Sequence, residues 1–267
     1  MMRALLVGYG KMGHLIAHLA PQYGIAISGV VAPRFDFTSV HLPDACVGYK
    51  SITQEALDGC DIAFDFSSPK DIVSRTLLLA DAGKPIVVGT TGWEKHELEV
   101  RKIIQDNMGA LVYAPNFSLG VALFSRVLAH ASELFSAFGQ YDVGMMEIHH
   151  RQKQDAPSGT ALALADTLMA YYPERELTHD LAKNKGLEAN AIHLASMRSG
   201  FHPGTHEIVF DSKEDTITLN HRARNREGFA RGALEAAYWL IDKKGWFTLD
   251  DMIEDKIYSK PQKKNNS

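Results

Sequence analysis

Residues 4–13 read Ala-Leu-Leu-Val-Gly-Tyr-Gly-Lys-Met-Gly, a short apolar run followed by a loop with three glycines. The spacing G-x-G-x-x-G, directly after a strand and at the start of a helix, is typical of a dinucleotide-binding turn. Gly8 permits the tight turn, Gly10 lets the backbone approach a pyrophosphate, and Gly13 lets the helix pack closely on the strand. The N–H groups at the start of that helix favour phosphate binding. A purely structural glycine turn is the alternative.

The residues up to about position 117 alternate between short β-rich runs and segments with helical periodicity. This alternation predicts βαβ units, and hence a Rossmann-type parallel sheet covered by helices on both faces. The predicted strands are Ala4–Val7, Ile25–Val31, Ile62–Phe66, Pro85–Val88 and Ala110–Tyr113. The predicted helices are Lys11–Gln22, Pro69–Ala82 and Glu94–Asn107.

The chain after that point has a different pattern, which predicts an α+β region with a mixed sheet and helices on one side. The segment 173–190 is charged and irregular, and Gly245 is expected to stop the last helix. We expect a dinucleotide-binding domain of residues 1–117 and 226–267, and a second, substrate-binding domain of residues 118–225. The predicted strands are Tyr141–Ile148, Ala191–Arg198, His206–Phe210 and Thr216–Arg222, and the predicted helices are Ser118–Phe138, Ser158–Tyr171 and Glu227–Lys243.

The end of the second predicted strand bears on the choice of nicotinamide cofactor. Enzymes that use NAD usually carry an acidic residue there, which binds the ribose 2′-hydroxyl. Here Pro33 and Arg34 occupy that place, and Arg34 or Lys11 has the charge to bind a 2′-phosphate. Asp36 lies slightly later in the chain than this acidic residue usually does, and its binding to the 2′-hydroxyl of NAD is the alternative. We therefore expect NADPH as the preferred cofactor and NADH as the alternative.

Two further loops fall at the carboxyl ends of predicted strands, where ligands bind in open α/β sheets. Residues 89–92 read Gly-Thr-Thr-Gly, and residues 114–118 read Ala-Pro-Asn-Phe-Ser. Small residues and hydrogen-bonding groups suit both loops to a ribose or a nicotinamide amide, although either loop alone is more often an ordinary turn. The candidate cofactor-binding residues are thus Gly8, Gly10, Lys11, Met12, Gly13, Arg34, Gly89, Thr90, Thr91, Ala114, Asn116 and Phe117.

Residues 147–161 read Glu-Ile-His-His-Arg-Gln-Lys-Gln-Asp-Ala-Pro-Ser-Gly-Thr-Ala and form the most informative stretch of the chain. A histidine delivers a proton near neutral pH, as reduction of a conjugated double bond requires after a hydride arrives. A lysine neutralises a carboxylate, and the N–H groups of Gly159 and Thr160 at a helix start offer an anion site. The stretch suggests a small dicarboxylate substrate with an acid beside it. A basic surface loop before a capped helix is the alternative.

Composition and charge argue against several classes of function. The net charge of -4 and the pI near 6.3 do not suit nucleic acid or an acidic membrane surface as a partner. No apolar run approaches the ~18 residues of a membrane span. Cys46 and Cys60 are too few for a disulfide framework, which favours a reducing, cytoplasmic compartment. No metal is expected, because adjacent histidines in an extended segment point to opposite faces.

The stretch at residues 147–161 resembles the signature of the dihydrodipicolinate reductase family, E-x-H-H-x-x-K-x-D-A-P-S-G-T-A. The resemblance extends across nearly the whole chain. It includes the glycine loop at residues 8–13, the turn at residues 89–92, Asn116-Phe117-Ser118, Arg198-x-Gly200, Gly204-x-His206 and Phe229-x-x-Gly232-Ala233.

The resemblance implies reduction of 4-hydroxy-tetrahydrodipicolinate to tetrahydrodipicolinate by NAD(P)H, in diaminopimelate and lysine biosynthesis. It implies that His149 is the proton donor and that Lys153 holds the substrate. Members of the family are typically homotetramers whose substrate domains join their sheets, with a hinge that closes over the ligands. The implied substrate-binding residues are His150, Lys153, Ser158, Gly159 and Thr160.

Residues 221–226 are more basic than the family pattern. We expect Arg226, at the domain junction, to help position cofactor or substrate. For the other basic residues of the cluster, a solvated hinge is at least as good an explanation as a role in binding.

Two other functions remain to be weighed. Another two-domain dehydrogenase, such as an aspartate or homoserine dehydrogenase, would share the first half but needs a different catalytic set, and the string at residues 149–160 argues against it. A non-catalytic nucleotide-sensing protein would keep the fold without the chemistry. The presence of both His149 and Lys153 argues against that alternative.

Overall fold

The computed structural model describes residues 1–38, 42–181 and 186–259. The chain divides into two compact units, one of Met1–Ser118 with Glu227–Ser267 and one of Leu119–Arg226. Residues 260–267, with which the predicted first domain ends, lie outside the described residues. Within the described ranges, no helix is both long and apolar enough to cross a membrane.

Twelve strands and eight α-helices make up the described chain. The strands are β1 (Met2–Val7), β2 (Ile25–Val31), β3 (Val47–Tyr49), β4 (Ile62–Asp65), β5 (Ile86–Val88), β6 (Ala110–Tyr113), β7 (Asp142–His149), β8 (Glu176–Thr178), β9 (Ala191–Arg198), β10 (Thr205–Asp211), β11 (Thr216–Arg222) and β12 (Gly245–Thr248). The helices are α1 (Lys11–Leu19), α2 (Gln54–Asp58), α3 (Ile72–Asp81), α4 (Glu97–Asp106), α5 (Leu119–Ser136), α6 (Gly159–Met169), α7 (Glu227–Leu240) and α8 (Leu249–Tyr258). Every predicted strand and helix has a counterpart among them.

The first unit is built on a seven-stranded sheet in the order β12-β6-β5-β4-β1-β2-β3. All neighbouring strands in it are parallel, as the sequence predicts. Strands β4 and β5 are buried at every residue, which is typical of a sheet covered on both faces. The strand order reverses between β1 and β4, so a ligand crevice is expected at the carboxyl ends of these two strands.

Helix α1 is shorter than the predicted segment Lys11–Gln22. The helix ends at Leu19, and the chain continues as a 3₁₀ turn, Ala20–Tyr23, with Pro21 in its first positions. Proline cannot donate an α-helical hydrogen bond, which explains the early end. Gly24 closes the turn in the left-handed conformation, with φ of 63°. Its position fixes where β2 begins.

The end of α7 corrects the prediction for Gly245. The helix ends at Leu240, and Gly245 does not stop it but begins β12, where its N–H donates to the Gly109 carbonyl over 2.7 Å. Thr248 then starts α8 with a capping box, in which the Asp251 carboxylate accepts from the Thr248 N–H at 2.7 Å. The sequence prediction also omits β3, α2 and β8, and β8 lies within the segment 173–190 that was expected to be irregular.

The second unit contains a five-stranded mixed sheet in the order β11-β10-β7-β9-β8. Strand β10 is antiparallel to β7 and β11, whereas β9 is parallel to β7. A hairpin joins β10 and β11: Asp211 pairs with Thr216, and the Ser212 N–H donates to the Asp215 carbonyl at 2.9 Å. The predicted mixed sheet is therefore present.

The two faces of this second sheet are covered to different extents. One face packs on α5 and α6 and forms the apolar core, with Val143, Met145, Ile208 and Phe210 from the sheet and Leu164 and Leu168 from α6. The other, which we call the open face of the second sheet, carries Met146, Ile148, Val209 and Met197. The first three are half-buried and Met197 is exposed. Burial thus alternates along β7, as expected for a sheet with one covered face.

Candidate active site

The glycine loop after β1 is shaped by close packing on one side and open space on the other. Gly8 has φ of 98°, and a Cβ there would collide with the carbonyl of Phe66. A Cβ on Gly13 would collide with the carbonyl of Gly8. A Cβ on Gly10, by contrast, would meet no described atom within 4 Å. Gly10 occupies the N-cap position of α1 and has no side chain, so no N-cap side chain bonds the first N–H groups of that helix. The loop therefore fits a pyrophosphate against Gly10.

The residues expected to select the cofactor lie at the same end of the sheet. Lys11 opens α1 and is exposed, and Met12 is half-buried beside it. Arg34 follows β2 and is exposed. The ring of Tyr9 packs against His14 at a centroid distance of 3.9 Å, and Phe35 lies 5.7 Å from Tyr9. Both cationic side chains are exposed, next to an aromatic cluster, where they can meet a phosphate.

A buried carboxylate that the sequence prediction missed fixes the loops after β4 and β5. Asp65 accepts hydrogen bonds from the Thr90 hydroxyl at 2.8 Å, the Ser67 hydroxyl at 2.6 Å and the Arg75 Nε at 2.7 Å. The Thr90 hydroxyl also accepts from the Ser67 N–H at 2.9 Å. The side chain of Thr90, a predicted cofactor contact, is buried and bonds within the protein. It therefore shapes the loop from the inside.

The other predicted cofactor residues flank this network. Gly89 follows β5, and the Phe66 ring occupies the space that a Cβ there would need. Thr91 is exposed. After β6, the Asn116 side-chain oxygen accepts from the Ser118 N–H at 2.8 Å. Ala114 and Phe117 are buried, and Phe117 packs 5.9 Å from Phe66, so they form the floor of the segment.

In the second unit, the end of β7 carries the predicted acid. His149 is buried, and its Nδ1 hydrogen-bonds Oε2 of Glu147, which lies two residues earlier on the same face of the strand and is fully buried. The second oxygen of Glu147 forms an ion pair of 2.7 Å with Arg198 of β9. The sequence prediction assigned no role to Glu147 or Arg198. Glu147 was recognisable from its period-2 spacing to His149, whereas the partner on a neighbouring strand was not.

The loop after β7 holds the predicted lysine. The Lys153 Nζ bonds both carboxylate oxygens of Asp155, at 2.8 and 2.9 Å. The Arg198 guanidinium donates to the Asp155 carbonyl at 2.6 Å and so ties this loop to the acid cluster. His150 is half-buried, and its N–H donates to the His202 carbonyl at 2.8 Å. Lys153 is therefore held close to the acid by a partner that a substrate carboxylate can replace.

The start of α6 presents the predicted anion site. Ser158 caps the helix, since its hydroxyl accepts from the Ala161 N–H at 3.1 Å. The same hydroxyl lies 3.4 Å from Nε2 of His206. Gly159 is exposed, and Thr160 is half-buried. The first amides of α6 thus carry the positive end of the helix dipole toward the loop that holds Lys153.

The electrostatics of the cluster separate its histidines. Burial lowers the pKa of His206 to about 4, and the charges of the neighbouring His149 and His221 contribute to that shift. Burial also lowers the pKa of His149, while its hydrogen bond to Glu147 opposes that shift. Burial alone would raise the pKa of Glu147, but hydrogen bonds from Arg198, Ser196 and His149 hold it below its ordinary value. Glu147 is therefore ionised and His206 neutral near pH 7.

Glu147, His149 and His206 also have the side-chain types of a metal site, with one ligand atom each within 4.8 Å of the others. Arg198 already neutralises Glu147 at 2.7 Å. A divalent ion in that place would face the guanidinium and would displace the hydrogen bond between Glu147 and His149. We therefore interpret the cluster as one for proton transfer.

Arg226, the remaining predicted residue, is exposed at the last position of the second unit. The structure thus places His149, Lys153 and the start of α6 in the second unit, and the glycine loop with Arg34 in the first.

Two family profiles match the chain. "Dihydrodipicolinate reductase, N-terminus" matches residues 2–117, and "Dihydrodipicolinate reductase, C-terminus" matches residues 120–253. Among curated proteins, the 4-hydroxy-tetrahydrodipicolinate reductase of Staphylococcus carnosus is 33% identical over 258 residues, covering 94% of this chain and 99% of that protein. The enzyme of the same name from Christiangramia forsetii is 33% identical over 259 residues, covering 95% and 98%.

Solved structures show the same fold. A dipicolinate-bound dihydrodipicolinate reductase from Paenisporosarcina sp. TG-14 superposes with a TM-score of 0.76 at 24% identity, covering 93% of this chain and 97% of that one. An amine dehydrogenase from Mycobacterium smegmatis gives a TM-score of 0.59 at 14% identity, covering 93% and 95%. The profiles and the curated relatives cover nearly the whole chain, and both units have the expected architecture. The chain belongs to the dihydrodipicolinate reductase family.

Proposed function

We propose that this chain is a 4-hydroxy-tetrahydrodipicolinate reductase. Its substrate loses water, takes a hydride from NAD(P)H and then a proton, and yields tetrahydrodipicolinate for diaminopimelate and lysine biosynthesis. The observation that carries the proposal is the buried cluster at the end of β7. There a histidine is hydrogen-bonded to an ionised carboxylate, with a lysine in the following loop. This cluster argues against an aspartate or homoserine dehydrogenase, which needs a different catalytic set.

The residues of the second unit divide the work between binding and proton transfer. Lys153 and the first amides of α6, at Gly159 and Thr160, bind the two carboxylates of the substrate, with His150 and the Ser158 cap beside them. His149 supplies the proton to the ring carbon next to the one that is reduced. Since Lys153 bonds Asp155 in the absence of substrate, binding exchanges one carboxylate partner for another.

The first unit binds the cofactor, whose nicotinamide supplies the hydride. The pyrophosphate lies against Gly10 and the start of α1, and residues 89–91 and 114–117 hold the nicotinamide end. NADPH is preferred, because Arg34 and Lys11 are exposed cations at the end of β2 and the start of α1. Arg226 assists in positioning a ligand.

The protein assembles as a homotetramer in the cytoplasm. The open face of the second sheet supports this assembly, because it displays the apolar residues Met146, Ile148, Val209 and Met197, whereas α5 and α6 pack on the opposite face. A second sheet placed on this face would bury them.

The function is tested by oxidation of NADPH or NADH in the presence of pyruvate, aspartate semialdehyde and the synthase that condenses them. Oxidation that depends on the synthase, and that is faster with NADPH, is the expected result. His149→Ala serves as the matched control, since it should bind NADPH normally and turn over slowly. Folded protein that binds NADPH without synthase-dependent oxidation would contradict the proposal and favour the nucleotide-sensing alternative.

A further inference from the structure

Glu147 has no role in the proposed function described so far, yet it is a fully buried carboxylate in contact with the proposed acid, His149. Both of its oxygens are engaged: Oε2 accepts from His149 Nδ1, and Oε1 lies 2.7 Å from the Arg198 guanidinium. Burying a carboxylate is costly unless it is paired and hydrogen-bonded. The fold therefore maintains this group at a place where it meets one ring atom of His149.

The strand register holds the cluster in place. His149 pairs with Arg198 across β7 and β9, and Glu147 pairs with Ser196 on β9 and with His206 on β10. Arg198 also donates to the Asp155 carbonyl at 2.6 Å, so that one guanidinium links Glu147 to the loop of Lys153. Because four backbone segments fix these groups, the His149 ring has little freedom to turn.

The opposite ring atom of His149, Nε2, lies beside a glycine. An ideal Cβ on Gly204 would lie 3.0 Å from His149 Nε2, too close for an ordinary contact. Gly204 has φ of 150°, which few residues other than glycine adopt. With Nδ1 occupied by Glu147, Nε2 is the ring atom left to exchange a proton with a ligand.

The charged and titratable groups that face His149 come from four segments. Glu147 lies on its own strand, Arg198 on β9, His206 on β10 and Lys153 on the loop after β7. Burial lowers the pKa of His149, and the charges of Lys153 and Arg198 lower it as well. Among these groups in the described chain, Glu147 alone acts strongly to favour the imidazolium.

We propose that Glu147 is a positioning residue, which holds His149 with Nδ1–H toward itself and so makes Nε2 of the imidazolium the atom that donates the proton. This role rests on the proposed reductase function. In the step, the Nε2–H bond breaks and a C–H bond forms with the electron pair that the hydride left on the substrate. The nitrogen keeps its own electron pair, giving neutral His149 with its proton on Nδ1. Glu147 stays ionised throughout and takes no proton, and Arg198 secures that state.

The kinetic test is Glu147→Gln, assayed as kcat and KM against pH. We expect kcat to fall by about 100-fold or more at about pH 8 with little change in KM for the substrate. We also expect the basic limb of the kcat profile to move to lower pH, so that the loss is smaller near pH 6. The direction follows because removing the carboxylate removes the group that favours the imidazolium. A pH profile parallel to that of the wild type would overturn the proposal.

The matched control is Glu133→Gln, which removes the same charge from the exposed last turn of α5, where Glu133 lies 3.4 Å from His130. It should leave kcat and its pH profile unchanged. A second variant, Glu147→Gln with Arg198→Met, removes both partners of the ion pair, so no guanidinium is left uncompensated. This variant should recover stability relative to Glu147→Gln, while kcat stays below that of the wild type because the group that orients Nδ1–H is still missing. Since the Arg198 charge also lowers the pKa of His149, the basic limb of the double variant should lie at higher pH than that of Glu147→Gln. A wild-type kcat in the double variant would contradict the assignment.

A measurement on the wild-type protein separates this inference from the proposed function. In ¹⁵N-labelled protein without substrate, long-range ¹H–¹⁵N spectra report the tautomer of His149, assigned by comparison with His149→Asn. We expect the neutral ring to carry its proton on Nδ1, the less common tautomer in free histidine. A proton on Nε2 would overturn the positioning role even if the enzyme turns over. Absence of turnover with the Nδ1–H tautomer present would contradict the proposed function alone.

Discussion

Asp65→Asn is the change that best tests how the first unit is held together. The Asp65 carboxylate is buried and accepts from Ser67, Thr90 and Arg75 at the carboxyl end of β4. Asparagine keeps one acceptor oxygen but turns an NH₂ group toward a set of donors. The ion pair with Arg75, at 2.7 Å, is lost in any orientation of the amide.

The magnitude follows from what remains for Arg75. Breaking a buried ion pair by removing one partner costs about 3–5 kcal/mol. The Arg75 side chain is 14% exposed and still donates to the carbonyls of Ser68, at 2.8 Å, and Lys70. The guanidinium therefore keeps part of its hydrogen bonding, which favours the lower end, a loss of about 3 kcal/mol in the free energy of unfolding. For a unit of this size the loss lowers Tm by about 10 °C.

The assay is urea unfolding followed by tryptophan fluorescence, because Trp93, Trp239 and Trp246 all lie in the first unit. Trp93 also donates to the Thr90 carbonyl at 2.6 Å and reports on the affected loop directly. The control is Asp61→Asn, which removes an exposed pair with Arg3 and should leave the midpoint nearly unchanged. A loss for Asp65→Asn no larger than that of the control, at equal slope, would refute the reasoning.

Three further predictions concern the site. Arg34→Asp should raise the KM for NADPH relative to NADH by about 10- to 100-fold, since it removes the proposed charge-assisted hydrogen bonds to the 2′-phosphate; an unchanged ratio would assign the 2′-phosphate contact to Lys11 instead. His149→Ala should lower kcat by about 10² to 10⁴ with little change in substrate affinity, as measured by dipicolinate binding, and an equal loss of both would contradict the role of proton donor. The pKa of His206 is about 4 in the folded protein and about 6.5 in the unfolded chain. Between these two values the unfolded chain binds a proton that the folded protein does not, so the free energy of unfolding falls as the pH decreases from about 6.5 toward 4. His206→Gln should therefore remove about 2–3 kcal/mol of the stability difference between about pH 7 and pH 4.5, measured by urea unfolding with far-UV circular dichroism. An unaltered difference would show that His206 carries a proton when folded.

The parallel sheet was predictable because its strands are short apolar runs between amphipathic helices and glycine turns. The elements that the prediction omits lack that contrast. Strands β3 and β8 have three residues each and are not fully buried. Strand β12 begins at Gly245, and a glycine at a helix end is indistinguishable in sequence from one that begins a strand. Its hydrogen bond to Gly109 depends on a partner far away in the chain.

The candidate site was predictable where its residues are close neighbours in the sequence. His149, Lys153 and the start of α6 lie within one string, and period-2 spacing places Glu147 on the same face as His149. The partners on other strands were not predictable in this way. Register decides that Arg198 stands opposite His149 and that His206 stands opposite Glu147, and register depends on the burial of the whole sheet.

Thr90 shows the opposite difficulty. A threonine in a loop at the carboxyl end of a strand has a hydroxyl suited to a ligand, and its sequence context gives no sign of an internal partner. Here the hydroxyl bonds a carboxylate at the end of the neighbouring strand and an amide beyond it. Only the pairing of β4 with β5 brings these groups together.

The insertion of the second unit within the first has a consequence for the order of folding during synthesis. Strand β12 pairs with β6, and α7 packs on α1. Both β12 and α7 follow the entire second unit in the chain, whereas β6 and α1 precede it. On the ribosome, the second unit is therefore complete while the first still lacks its edge strand and a covering helix. Domains generally fold as units as they emerge. The inserted unit can finish first, while the surface of α1 that α7 contacts stays uncovered until α7 emerges, which makes that surface a natural contact for a chaperone.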